Sequence, residues 1–238
     1  MSHGHDHGPD SGHSHGPDHG NDSSPGSDVT HLFTQEFWDE RYASVERVWS
    51  GRPNPHLVEL ATDLVAGTAL DVGSGEGADA IWLASRGWHV TGIDVSSVAL
   101  ARAAAHATGG GQEIAGTIEW RQADLLTWDP APEQFDLVSA QFMHLPRPSL
   151  DLLHLRLAAA VRLGGTLLVV GHHPSDLDTT VGRWDLPDLL FTAEQVVAVL
   201  DPDDWSMISA TSPERQESDP DGRPLTIHDA VVHAVRRG

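Results

Sequence analysis

Asp71 stands two residues ahead of three glycines at alternating positions, Gly73, Gly75 and Gly77, and a second acid, Asp94, follows further along the chain. Glycine lets backbone approach a ligand closely, and a carboxylate beyond such a turn can grip ribose hydroxyls. The chemistry on offer is the cradling of a nucleoside. The elements that must hold these residues are short. Residues 68–72 read as an apolar strand running into the glycines, and residues 88–93 as a second strand-like run ending at Asp94. A helix over residues 78–86 connects them. Strand, glycine turn, helix, strand and carboxylate make half of a nucleotide-binding α/β unit.

The turn decides which nucleoside. A dinucleotide fingerprint reads G-x-G-x-x-G, whereas this turn reads G-x-G-x-G with an acid before it. The segment resembles the cofactor motif of class I S-adenosylmethionine-dependent methyltransferases. That cofactor has no pyrophosphate, and its cationic amino group and sulfonium favour carboxylate or carbonyl oxygen. The resemblance extends over residues 34–238 and implies a doubly wound, seven-stranded, mostly parallel Rossmann-like sheet with an antiparallel last strand. It implies that Gly73, Ser74 and Gly75 line the methionine moiety and that Asp94, followed by Val95, holds the ribose. Asp124 and the Leu125 amide would meet the adenine edge, Gln141 would face the sulfonium through its backbone, and Asp71 would support the loop. The run Phe37-Trp38-Asp39-Glu40-Arg41-Tyr42, followed by Trp49 and Pro53-Asn54-Pro55, looks like the thiopurine and tellurite methyltransferase branch. In that branch such a helix closes over the cofactor. Trp38 and Tyr42 share a helix face and could cover the adenosyl group, or could simply pack the helix on the core. The turn at residues 162–165 lacks the proline usual before its glycines, and no Asn-Pro-Pro-Tyr-like tetrapeptide follows the fourth strand. The second departure argues against amino-methylation of nucleic acid.

Composition narrows the partners. All 14 basic residues are arginine, against 35 acids, for a formal charge of -21. Such a field repels phosphate backbones, which favours a small-molecule substrate over nucleic acid. Without lysine there is no Schiff base and no P-loop lysine; without cysteine there is no disulfide or thiol nucleophile. No apolar run reaches the roughly 20 residues of a membrane span, and the start lacks a signal-peptide pattern, so no membrane partner and a cytoplasmic location are expected. Residues 1–28 read as a disordered tail in which His3, His5, His7, His13, His15 and His19 could bind divalent nickel, zinc or copper loosely. Residues 29–238 form the expected folded domain.

Along that domain, helices are predicted over 34–42, 55–65, 78–86, 97–106, 149–161 and 192–200. Strands are predicted over 68–72, 89–93, 117–122, 135–140, 166–170, 205–211 and 228–235, the last two joined by an acidic loop over 213–224. Ligands of open α/β sheets bind beyond the carboxyl ends of the strands. Those ends also carry His144, His172 and His173, each a candidate base or substrate orienter, with His144 the leading catalytic candidate. Arg183 and Trp184, in a variable polar segment, could line an acceptor pocket. A thiolate or reduced chalcogen acceptor would need no base, whereas a hydroxyl or amine would. The leading expectation is methyl transfer from S-adenosyl-L-methionine to a small S, Se or Te-type acceptor, with S-adenosyl-L-homocysteine as product. A nicotinamide-dependent oxidoreductase on the same unit, and a non-enzymatic metal-handling protein using the tail, are the alternatives.

Overall fold

The computed structural model describes residues 29–181 and 186–238. The histidines of the tail and the pair Arg183 and Trp184 lie outside the described residues. The chain enters through α1 (Gln35–Ser44) and α2 (Pro55–Ala61), then β1 (Thr68–Val72), α3 (Ala78–Ser85), β2 (His89–Asp94) and α4 (Ser97–Gly109). There follow α5 (Gln112–Ala115), β3 (Ile118–Gln122), β4 (Phe135–Gln141), α6 (Ser149–Ala160) and β5 (Val161–His172). The chain closes with α7 (Ala193–Val197), β6 (Trp205–Thr211), β7 (Glu214–Ser218) and β8 (Pro224–Arg236).

Side chains start these helices where the residue types demand. The Thr34 hydroxyl accepts the Phe37 N–H, Asn54 caps α2 ahead of Pro55, and Ser96 caps α4. Thr192 and Gln195 form a reciprocal capping box on α7. The sheet order is β3-β2-β1-β4-β5-β8-β6, with β7 paired to β8 off this path. The pairs from β3 through β5 are parallel, and β8 runs antiparallel to β5, β6 and β7. The pleat splits the core into two faces. Leu70 and Val72 join the cluster with Leu153, Leu157 and Phe191; Ala69 joins Leu57, Leu83 and Trp88 on the other side.

The expected mostly parallel sheet is present, with one more strand than the sequence pattern suggests. The acidic loop over 213–224 contains β7, whose residues alternate in exposure but carry no apolar face. Pairing with β8 makes it a strand, and nothing local announces that. β5 starts at Val161, earlier than its apolar run, because the turn at residues 162–165 is accommodated as an irregularity between Phe135 and Leu137 of β4. α2 stops at Ala61, leaving Val65 at 90% exposure, so the apolar periodicity past residue 61 belongs to no helix. Among the described residues no helix is long and apolar enough to cross a membrane.

Candidate active site

A cavity of about 660 Å³ opens at the carboxyl ends of β1, β2 and β4, beneath α1 and the segment 45–54. That volume lies within the range that encloses a drug-sized ligand. Its floor is the glycine turn. Gly73 and Gly75 adopt φ of +69° and +51°, a conformation that favours glycine. A Cβ on Gly73 would collide with Met143 Sδ, and one on Gly75 would lie 2.9 Å from the Tyr42 hydroxyl. The turn is anchored by the Ser74 N–H on Ile93 O (2.9 Å) and the Gly77 N–H on Ser74 O (2.8 Å).

Asp94 ties the turn to the end of β2. Its carboxylate accepts the Gly75 N–H at 2.9 Å and the Ser96 N–H at 2.8 Å. Burial raises its pKa, while the amides of Ser96, Gly75 and Val95 pull it back. An ionised carboxylate has about four lone-pair positions, so acceptor capacity for a ribose diol persists. Asp71 is 2% exposed, and its Oδ2 is buried without a hydrogen-bond partner. Burial, then the neighbouring charge of Asp79, pushes Asp71 well above the usual carboxylate range. Beyond β3, Asp124 turns the chain by accepting the Leu126 N–H at 2.9 Å, and Asp124, Leu125 and Val95 line the adjacent wall.

The lid is latched by carboxylates. Asp39 of α1 accepts the Ser96 hydroxyl (2.6 Å) and the Val98 N–H (3.1 Å), so the entry helix is bound to the start of α4. Glu76 accepts the Val48 and Trp49 amides at 3.1 and 3.2 Å, and ion-pairs with Arg102 at 3.1 Å. Asp79 accepts the Asn54 N–H at 2.6 Å. Tyr42 is buried and Trp38 half-buried; their rings lie 6.0 Å apart, with Trp49 6.4 Å from Trp38.

At the β4–β5 end, Phe142, Met143, His144 and His172 line the cavity with Leu189, Leu190 and, from β7, Arg215 and Glu217. The imidazoles of His144 and His172 stack 4.9 Å apart at 8°. Because a carbonyl only accepts, His144 Nδ1 carries a proton and donates it to Leu189 O at 2.8 Å. Its Nε2 accepts the His172 N–H at 3.4 Å. Of the roles expected of His144, base or substrate orienter, a free base does not match that bonding. His173 is not in the cavity wall; it caps the turn Pro174–Asp178, with Nδ1 taking the Ser175 N–H at 3.1 Å. The direction of the chain at the end of β5 alternates successive side chains, and this sends His172 inward and His173 away.

Residues 69–165 match the family model described as a methyltransferase domain. That stretch is a methyltransferase domain. A probable thiol methyltransferase 2 of Arabidopsis thaliana is 34% identical over 105 residues, 42% of this chain and 45% of that protein. Thiocyanate methyltransferase 1 of the same plant is 34% identical over 106 residues, 44% of each chain. The chain thus matches less than half the length of these curated relatives. Among solved structures, the fold is similar to a protein studied for conversion of a disulfide bond into a thioacetal group during echinomycin biosynthesis. That match has a TM-score of 0.68 at 22% identity and covers 85% of this chain and 91% of that one. It is also similar to phosphoethanolamine N-methyltransferase 2 of Haemonchus contortus, solved with S-adenosyl-L-methionine (TM-score 0.63, 17% identity, 88% of this chain and 60% of that one).

The fold brings together Trp38, Tyr42, Asp71, Gly73, Ser74, Gly75, Asp94, Val95, Asp124, Leu125, Gln141, His144 and His172 around one cavity. S-adenosylmethionine fits this donor set, which offers buried oxygen acceptors for hydroxyls and a cation. The sequence reading passed over Glu76, Asp79, Met143, Arg215 and Glu217. Glu76 stands between Gly75 and Gly77 and Asp79 two residues past Gly77, and acids in those places were the available signal. Nothing in the sequence pointed to Met143, or to β7 reaching the cavity.

Proposed function

We propose that residues 29–238 form an enzyme that transfers a methyl group from S-adenosylmethionine to a small, soft, sulfur-type nucleophile. The observation that carries this reading is the bonding of His144, whose Nδ1–H is committed to Leu189 and whose Nε2 takes the His172 amide. Glu217, also in the wall, is held by Arg215 at 2.7 Å. A hydroxyl or amine acceptor needs a base in the transition state, whereas a thiolate, hydrosulfide or thiocyanate ion attacks without one. When bound, the cofactor supplies a methyl carbon already activated by positive sulfur.

The residues of this chain are then left with alignment and exclusion of water, which can supply much of the acceleration of an in-line displacement. The glycine turn and Asp94 fix the nucleoside. Tyr42 and Trp49 close the lid side, and Met143 stands against Gly73. Phe142, Leu189 and Leu190 give the acceptor end an apolar wall beside His172 and Arg215, which favours weakly hydrated nucleophiles over strongly hydrated ones. His144 and His172 brace the ends of β4 and β5 as positioning residues. The sulfur acceptors in the names of the two Arabidopsis relatives support the same class. The G-x-G-x-G spacing and the methyltransferase match favour this reading over a nicotinamide enzyme.

The test is formation of S-adenosylhomocysteine with hydrosulfide, thiocyanate, iodide and thiols, set against phenols and amines of matched size. Sulfur acceptors are expected to turn over at least ~100-fold faster, the scale of an absent general base. Turnover confined to amines or phenols would overturn the soft-acceptor reading.

A further inference from the structure

Arg215 and Glu217 are the half-buried positions of β7, whose other residues are exposed. Side chains two apart share one face of a strand, and both of these line the cavity. Arg215 is fixed from behind. Its Nε and Nη2 donate to Oδ2 and Oδ1 of Asp229 at 3.0 and 3.2 Å, and Asp229 is 1% exposed. The same carboxylate bonds His56 Nε2 of α2 at 3.1 Å. Arg215 Nη1 donates to Glu217 Oε2 at 2.7 Å. A guanidinium carries five N–H donors. Among the described residues these three bonds leave two donors open, one on each Nη. An ion pair as open as Arg215 with Glu217 contributes little to stability. A planar fork preorganised by a buried carboxylate is suited instead to recognising an anion in two-pronged fashion.

We propose that Arg215 and Glu217 read the two charges of a zwitterionic acceptor, a small thiol carrying both a carboxylate and an ammonium. The inference rests on the soft-acceptor reading above and names its substrate class. The acceptor's carboxylate takes the two open Nη donors of Arg215, and its ammonium donates to Glu217. A carboxylate has about four lone-pair positions, so Glu217 keeps capacity beside Arg215 and the Ser218 amide. Charge balance favours a zwitterion over a simple anion. Glu217 and Asp229 already oppose the single positive charge of Arg215, and the chain carries a formal charge of -21. An added carboxylate is repelled by both, whereas a zwitterion brings its own compensating ammonium. The apolar wall of Phe142, Leu189 and Leu190 is left for the sulfur. The acceptor reacts as its thiolate, its proton having gone to solvent. Its sulfur bonds the methyl carbon as the bond from that carbon to the sulfonium breaks, and the bonding pair stays on the departing thioether.

Four thiols separate the charges. L-cysteine carries both, 3-mercaptopropionate only the carboxylate, cysteamine only the ammonium, and 2-mercaptoethanol neither. S-adenosylhomocysteine formation by the full chain is followed with each, and kcat/KM is expressed per thiolate to remove differences in thiol ionisation. L-cysteine is expected to exceed each single-charge thiol by at least ~10-fold, the scale of one bond to a charged group. Glu217→Gln should cut the preference for L-cysteine over 3-mercaptopropionate by about tenfold. Arg215→Lys keeps the charge and loses the fork, and should cut the preference for L-cysteine over cysteamine. Calorimetry with S-adenosylhomocysteine checks that each variant retains the cavity, and the wild-type panel decides without them. Equal kcat/KM for all four thiols, a single-charge thiol ahead of L-cysteine, or an undiminished preference in Glu217→Gln would each overturn the proposal and leave the soft-acceptor reading standing. Turnover of none of the thiols would remove that reading and this inference together.

Discussion

Trp49 donates its indole N–H to the Tyr42 hydroxyl at 2.8 Å, and both atoms stand where a side chain on Gly75 would be. The bond joins α1 to the segment that follows it, over the floor of the cavity. Burial, then the charge of Asp94, raises the Tyr42 pKa, so its hydroxyl keeps its proton at any working pH. Tyr42→Phe removes the acceptor and leaves the ring. The expected result is about fivefold weaker S-adenosylhomocysteine binding, the equivalent of about 1 kcal/mol for one hydrogen bond. Calorimetry measures it, and unchanged affinity would separate this bond from lid closure.

Asp94 holds the turn from below through the Gly75 and Ser96 amides. Asp94→Ala orphans both donors and removes the acceptors proposed for the ribose. With roughly 1.5 to 3 kcal/mol for each bond to a charged group, cofactor affinity should drop at least ~100-fold. A lower melting temperature should accompany it. Retained affinity would place the ribose elsewhere.

His144 tests the division between alignment and proton transfer. With thiocyanate as acceptor and cofactor saturating, kcat should stay flat from about pH 6.5 to 9, since no imidazole takes a proton in the reaction. His144→Ala should lower kcat by loosening the β4–β5 end, with no change in the shape of the profile. A wild-type limb near the histidine pKa that vanishes in the variant would make His144 a base after all.

His154 supplies a pH-dependent stability term unrelated to the cavity. It is 1% exposed on α6, packed edge-on to Phe191 at 5.7 Å, and both ring nitrogens lack hydrogen-bond partners. Burial, then the charges of Arg147 and His144, lowers its pKa from 6.5 to about 4. The unfolded chain therefore takes up the proton first as pH drops below 6.5, and stability is lost between 6.5 and about 4 before levelling. The total is about 3 kcal/mol at about 1.4 kcal/mol per unit. Asp79 acts in the opposite sense, because its raised pKa adds stability as pH falls. Comparison with His154→Leu by urea midpoints at pH 7 and pH 4.5 isolates the histidine. Parallel losses in both proteins would exclude it as the source.

The strand, turn, helix and second strand over residues 68–94 could be read directly, because each signal there is local: apolar runs, glycines needing positive φ, and acids at strand ends. Asp71 and Asp94 were legible for the same reason. What the tertiary structure decided depends on partners far apart in the chain. β7 carries no apolar pattern of its own and exists through its ladder with β8, which carries Arg215 to the cavity. Asp39 and Glu76 read as ordinary helix and loop acids until α4 and the lid are folded against them. His144 looked like a base because sequence reports a residue type and its place on a strand, not what meets its two nitrogens. Leu189 and the His172 amide reach them only after the chain has crossed the sheet, and hydrogen bonds made across that distance leave no periodicity to read.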